Sequence, residues 1–353
     1  MNIRTELTKN PKDKPVGTPV FGRTLTDHMV IMDFEPEKGW HDLRIVPYAP
    51  LLMDPASSCM HYGQAIFEGM KAYRHPDGKI ALFRPMENFK RLNESAWRMC
   101  IPEADPEVML EALLKLIELE KDWVPSAEAS SLYIRPFMIA TDPALGLRPS
   151  ANYQALIILS PVGPYYADGI TPVRIFVEEK YVRAVKGGTG YAKAAGNYAA
   201  SMRSQMEALK DGFAQVLWLD GVHRKYIEEV GAMNVFFKID GKVVTPEING
   251  SILPGITRKS VIEILKDWGH TVEERPISID ELVAAYDAGK IDEAFGCGTA
   301  VVIAPISELV WGGKSMTLSG GQTGELTRKV YDELTGIQFG TRPDTRGWVH
   351  IVC

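Results

Sequence analysis

Cysteine is scarce in this 353-residue chain: Cys59, Cys100, Cys297 and Cys353 are widely scattered and form no CxxC pair. Neither a disulfide framework nor a zinc ribbon is therefore expected. Long apolar runs are missing too, and stretches such as Ala155–Leu159 fall far short of the roughly 18 residues that span a bilayer. Residues 1–15 are polar and mixed in charge, without the apolar core of a secretory signal. No sign of charge dominates: 39 Lys+Arg stand against 45 Asp+Glu, a net of −6, and no basic stripe offers nucleic acid a footprint. There is no GxGxxG after a strand and no GxxxxGK, so dinucleotide and P-loop nucleotide sites have no support. The seven histidines show no metal-ligand spacing, and His28 and His61 read as structural or hydrogen-bonding residues. Cys59 beside His61 could suggest a thiol hydrolase, but a pair so close in sequence reads as coincidence. Ser57-Ser58 sits in no GxSxG elbow. What is present is a globular composition, 45% hydrophobic and 24% charged, long enough for about two domains. A soluble, cytoplasmic protein is expected.

Patterning then gives the elements. Strands are expected at 28–34 and 43–46, followed by a hairpin of Met70–Arg74 and 79–83 around Pro76-Asp77-Gly78. A helix carries Met86, Phe89, Leu92, Ala96 and Met99 on one face. A second starts at Asp105-Pro106, an N-cap with proline at the first helical position, and runs to about Val124. Strands at 132–140 and 153–159 complete a first α+β unit. The Pro/Gly clusters at 161–164 and 169–172 mark a linker. The division expected is a smaller N-terminal domain over 1–164, a linker over 165–175 and a larger domain over 176–353. In the second half, a strand at Val173–Val177 precedes a Gly/Ala-rich segment, 186–198. A helix with Tyr198, Met202, Met206 and Leu209 on one stripe follows. Strands at Gln215–Leu219 and Asn234–Ile239, an Asp240-Gly241 hairpin and helices near Thr257, Ser278 and Gly321 come next. The fold class read from this is α+β in two domains, the second barrel-like.

Four features could carry chemistry. Lys193 lies among Gly190, Ala192, Ala194, Ala195 and Gly196, so a planar group could reach its amine unobstructed. A desolvated lysine is a nucleophile toward carbonyls, although a lysine at the edge of a flexible glycine loop is the commoner case. Ile252-Leu253-Pro254-Gly255-Ile256-Thr257-Arg258 opens an amphipathic helix, whose first amides suit a phosphate. Gly296-Cys297-Gly298-Thr299-Ala300 is a small-residue turn between two expected strands, a weaker anion cradle. Glu228-Glu229 precede a stretch that turns apolar. A carboxylate buried there needs a partner such as a protonated ring nitrogen. For Glu228 the plainer reading, a solvated acid, is preferred.

Together these segments resemble the branched-chain aminotransferases, pyridoxal-phosphate enzymes of fold type IV, over nearly the whole chain. The most specific stretch runs from Glu229-Val230-Gly231-Ala232-Met233-Asn234-Val235-Phe236 through Val243-Val244-Thr245 to Leu253-Pro254-Gly255-Ile256-Thr257-Arg258. The segment from Gly187 to Tyr198 resembles the family's Schiff-base segment, and that from His61 to Ala72 its dimer-contact and pocket segment.

The resemblance implies a residue-by-residue site. Lys193 would hold pyridoxal 5'-phosphate covalently and shuttle the substrate proton; Glu229 would keep the pyridine nitrogen protonated. Arg91 would bind the phosphate with a rigid fork, joined by amides at Ile256 and Thr257 and by Thr299. Tyr198 would meet the cofactor's phenolic oxygen. Backbone amides at Thr299 and Ala300 would take the substrate α-carboxylate, with Tyr62 from a partner subunit of a homodimer. Phe21, Tyr133 and Tyr165 would line an apolar pocket for Leu, Ile or Val, with ordinary core packing the lesser alternative for Tyr133. Arg135 or a tyrosine hydroxyl would meet the second carboxylate of glutamate. The implied reaction is amino-group exchange between branched-chain L-amino acids and 2-oxoglutarate. D-amino acid aminotransferases and aminodeoxychorismate lyases share the lysine and acid, and a non-catalytic vitamin B6-binding protein is the rival from another class. Two departures stand out. Val301 and Ala304 occupy the places where some eukaryotic members carry a CxxC, so no thiol switch is expected there. Ala232 replaces a threonine found in some members.

Overall fold

The computed structural model describes residues 2–15, 17–164 and 170–353. The described residues form two compact units. The first holds 2–164 with Ala192–Ala195 and Gly336–Cys353; the second holds 170–191 with Gly196–Thr335.

The first unit is built on a sheet in the order Arg4–Thr5, Gly39–Pro47, His28–Glu35, Tyr153–Val162, Ser131–Ala140, Met70–Arg74, Ile80–Phe83, Val349–Ile351. Ala65–Phe67 adds to Ser131–Ala140 beyond Met70–Arg74. The hairpin turns at Gly78, which has φ +88, a conformation open to glycine. Asp105 caps the helix Pro106–Leu119 as expected, accepting from the Glu107 amide at 2.9 Å. That helix ends at Leu119, short of Val124, and Lys121–Trp123 continues as a 3-10 turn. Its face of Met109, Leu113, Leu116 and Ile117 joins Phe89, Leu92 and Ala96 of the helix Pro85–Arg98 in one core with the sheet.

The second unit is a curled sheet ordered Ile227–Val230, Gln215–Leu219, Val173–Val177, Val302–Trp311, Ile291–Gly298, Asn234–Ile239, Lys242–Thr245, Val272–Glu274. A bridge between Val230 and Met233 brings the first strand of this path back to the start of the sixth, which gives the barrel-like form. Ile227–Val230, residues 216–219 and residues 234–237 are buried along their whole length, so alternation is lost there, whereas Val173–Val177 keeps it with Arg174 exposed.

Three expectations need correction. The last residues do not stay with the second unit: Val349–Ile351 pairs antiparallel with Ile80–Phe83 and extends the first sheet. Lys193 likewise groups with the first unit, because its backbone is bonded there. On the helix Ala195–Lys210, the stripe of Met202, Met206 and Leu209 is exposed; Ser204 and Ala208 turn inward, Ala208 against Val216 and Trp218. Small side chains allow that helix to lie close to a bulky strand. Among the described residues no helix is long and apolar enough to cross a membrane.

Candidate active site

In the first unit, Lys193 is fixed by its main chain. The Phe67 amide donates to the Lys193 carbonyl at 3.1 Å, the Lys193 amide donates to Ser95 Oγ at 2.9 Å, and Ala194 bridges to Ile66. Ala192 and Ala194 are buried on either side. The lysine side chain itself is half-exposed, with its Nζ 4.7 Å from the Phe67 ring centroid.

Phe67 is the hub of the cluster. The Arg135 guanidinium lies 4.7 Å from the same ring and 5.2 Å from the Tyr133 ring, and Arg135 Nη2 donates to Tyr133 Oη at 3.1 Å. Phe21 packs edge-on against Tyr133, with centroids 5.0 Å apart. Tyr133 and Arg135 sit two apart on one strand, hence on one face. Arg135 Nε is buried with no hydrogen-bond partner among the described residues. Gly69 keeps this face open: a Cβ there would lie 2.1 Å from Tyr133 Oη. Four of the expected residues, Lys193, Phe21, Tyr133 and Arg135, are therefore brought together here.

Arg91 is joined to the cluster through Glu68. That carboxylate is fully buried and accepts from Arg91 Nε at 2.7 Å, Arg91 Nη2 at 2.9 Å and Asn88 Nδ2 at 2.8 Å. Burial pushes Glu68 up, but Arg91, Lys193 and Asn88 outweigh it and hold the carboxyl below its ordinary range. Arg91 is itself buried, its fork oriented by this pair rather than solvated on the helix face. Sequence reasoning passed over Phe67 and Glu68 as functional groups. The signal was there: an acid in the otherwise apolar run Ala65-Ile66-Phe67-Glu68-Gly69-Met70. Within the run Ile66 and Met70 are buried, Ile66 opposite Met138 on the neighbouring strand, while Ala65 and Phe67 are half-buried.

Tyr62 stands apart. Its ring is exposed, and its hydroxyl donates to the Leu145 carbonyl at 2.7 Å. Tyr165 lies outside the described residues. His61 Nε2 donates to the Ala56 carbonyl, and burial raises the Cys59 thiol, the reverse of an activated thiolate.

In the second unit, Glu229 is buried and held from both sides. Arg183 Nε lies 3.0 Å from Oε2, and the Leu253 amide donates to Oε1 at 2.7 Å. Arg183 also donates to the carbonyls of Ser251, at 2.9 Å, and Gly190, at 3.2 Å. Leu253 is tied back again, its carbonyl accepting from Asn234 Nδ2 at 3.0 Å. The helix Ile256–Asp267 then begins at Gly255, which supplies no side-chain cap. The first-turn amides, those of Ile256 and Thr257 among them, have no intrahelical acceptor. A Cβ at Gly255 would come within 2.0 Å of Asn234 Oδ1, so only glycine lets the helix start here. Thr299 and Ala300 form the half-buried turn between Ile291–Gly298 and Val302–Trp311. That turn ends in Val302 at φ +64, a strained conformation for a β-branched residue. Cys297 beside it is buried, and burial pushes its thiol up to about 12. Tyr198 is half-buried near the start of the helix Ala195–Lys210. Glu228 is not the solvated acid expected: it is 3% exposed. Its strand is buried on both faces, so the side opposite Glu229 meets protein as well.

Comparison with known proteins bears on the chain as a whole. A family model described as amino-transferase class IV matches residues 65–309. Branched-chain-amino-acid aminotransferase 2 of Bacillus subtilis is 57% identical over 347 residues, 98% of this chain and 96% of that protein. Among solved structures, the branched-chain amino acid aminotransferase of Escherichia coli superposes with a TM-score of 0.76 at 29% identity, covering 88% of this chain and 97% of that one. A T.th. branched-chain amino acid aminotransferase with pyridoxamine 5'-phosphate gives 0.77 at 28%, covering 94% and 100%. The anchored lysine, the doubly held glutamate and the uncapped helix start therefore lie in a chain that belongs to the class IV aminotransferases, in their branched-chain-amino-acid group.

Proposed function

We propose that this protein moves the amino group between branched-chain L-amino acids and 2-oxoglutarate, with pyridoxal 5'-phosphate as cofactor. The observation that carries the substrate side is the cluster around Phe67. It joins an apolar aromatic face, suited to Leu, Ile or Val, to the Arg135 guanidinium, a cation for the second carboxylate of 2-oxoglutarate. Three features support the cofactor. Lys193 offers an amine on an anchored segment, Glu229 is a buried acid suited to a protonated ring nitrogen, and the uncapped helix start suits phosphate. A relative with pyridoxamine 5'-phosphate adds weight.

When bound, the cofactor supplies a carbonyl for the amine and a ring that draws off electrons. The chain's own residues do the rest. Lys193 Nζ would anchor the cofactor and, once released, carry the substrate proton from Cα to the cofactor's C4′, moving a proton the opposite way in the second half-reaction. Glu229 holds the nitrogen proton, with Arg183 and the Leu253 amide fixing its carboxylate. Arg91, Ile256, Thr257 and Thr299 bind phosphate, and Tyr198 meets the phenolic oxygen. Amides at Thr299 and Ala300 orient the α-carboxylate, and Phe21, Tyr133 and Tyr165 line the side-chain pocket. A homodimer completes this reading, with Tyr62 serving the neighbouring subunit's pocket. A cytoplasmic setting suits its four free thiols.

The test is an absorption spectrum of the protein with and without L-leucine, followed by borohydride reduction and peptide mapping. A spectral change with L-leucine and label on the Lys193 peptide are expected. Label on another lysine, or turnover of D-amino acids only, would overturn the reading.

A further inference from the structure

Glu228 has no part in the chemistry above, yet it is as deeply buried as Glu229. Its Oε1 is in hydrogen-bond contact with Ser251 Oγ. The same hydroxyl lies 2.7 Å from Asn249 Oδ1. The Ser251 main-chain amide donates to that Oδ1 at 3.0 Å, which identifies it as the oxygen of the Asn249 amide. A serine has one hydroxyl proton and cannot donate to two acceptors at once. The arrangement balances when Ser251 donates to Asn249 and Glu228 donates to Ser251. Glu228 Oε2 points the same way: it is buried and has no hydrogen-bond partner among the described residues. That is tolerable for a neutral acid and costly for a carboxylate.

We propose that Glu228 is a positioning residue: a carboxyl that keeps its proton in the native protein, donates it to Ser251 Oγ, and so leaves Arg183 the undivided counter-charge of Glu229. The link is short, because the Ser251 carbonyl accepts from Arg183 Nη1 and Arg183 Nε meets Glu229. The functional half rests on the proposed role of Glu229. Ionised, Glu228 would put a second negative charge beside the same guanidinium and would draw the Ser251 hydroxyl away from Asn249.

The groups around Glu228 are Glu229 on its own strand, Arg183, and Asp220 after the strand Gln215–Leu219. A cavity of about 370 Å³ on this side adds Lys186, His223, Tyr226 and Glu247 to its walls. Burial is the main influence on Glu228 and raises it; Glu229 and Asp220 add to the rise, against Ser251 and Arg183.

Infrared spectroscopy of the holoenzyme reads the proton directly. The difference between wild type and Glu228→Gln at neutral pH should contain the C=O stretch of one protonated carboxyl, lost on alkaline titration. Ser251→Ala should keep that band and shift its frequency. A difference spectrum with only carboxylate bands overturns the proposal. In kinetics, Glu228→Gln bears no charge at any pH, so the alkaline fall in kcat should move up by about one pH unit or more. An unchanged profile in both Glu228→Gln and Ser251→Ala overturns the positioning role. Glu229→Gln separates the two readings: full activity there would remove Glu229 from the site, while the infrared band would still report on Glu228.

Discussion

At the scale of single residues, local signals in the sequence single out side chains but not their surroundings. Lys193 and Glu229 were legible because an amine among small residues and an acid before an apolar strand are local signals, whereas Arg91 stood out by resemblance alone. The company they keep was not. Glu68 pairs with Arg91 across 23 positions, and Arg183 reaches Glu229 across 46. Glu228 was misread because alternation separates the faces of a strand only when one of them meets water. Removing the Glu68 carboxylate should be expensive in stability. Glu68→Ala leaves a buried guanidinium without its ion pair and should cost about 3–5 kcal/mol, measured by chemical denaturation. Glu68→Gln should show a distinct pH signature. The native Glu68 carboxyl is held low, so its stabilisation is present above the ordinary carboxylate range and lost as pH falls through the lowered value. Wild type should therefore lose stability relative to Glu68→Gln on acidification. Glu228 carries the opposite sign. Its raised value favours the protonated native state, so Glu228→Gln should gain stability over wild type as pH rises.

At the scale of elements, most strands and helices were legible, because periodicity and turn residues are local. Val173–Val177, Gln215–Leu219 and Asn234–Ile239 fall where the pattern puts them. The short Ala65–Phe67 and the late Val349–Ile351 escaped, since three residues carry no period and their partners lie far along the chain. The outward stripe on Ala195–Lys210 shows that an apolar face need not be the packed one when small residues permit closer approach. The helix start at Gly255 is the element on which phosphate binding should depend most. Gly255→Ala drives a methyl into Asn234 Oδ1 and must shift either that side chain or the first turn. Affinity for pyridoxal 5'-phosphate should fall about tenfold or more, the worth of a hydrogen bond to a charged group. Titration of the purified protein with the cofactor would check it.

At the scale of the molecule, the homodimer proposed from the resemblance is supported by exposed apolar side chains in the first unit. Tyr62 is tied to the Leu145 carbonyl, and Met60, Leu145 and Leu147 are all exposed, the last to 83%. Of the run Ala65–Phe67, Ile66 is spent on the unit's own core and Phe67 faces the site cluster. Sedimentation should show a dimer at micromolar concentration, and Tyr62→Phe should raise KM for amino acids while cofactor affinity holds. A fully active monomer would remove the shared pocket. The C-terminal strand has a consequence of another kind, in the order of synthesis. Val349–Ile351 closes the sheet edge at Ile80–Phe83, and Ala192–Ala195 lies against Ala65–Phe67. A ribosome must therefore make all of Gly196–Thr335 before the first unit holds its last strand. The unit translated first is the one completed last, and until then the Ile80–Phe83 edge waits for its partner.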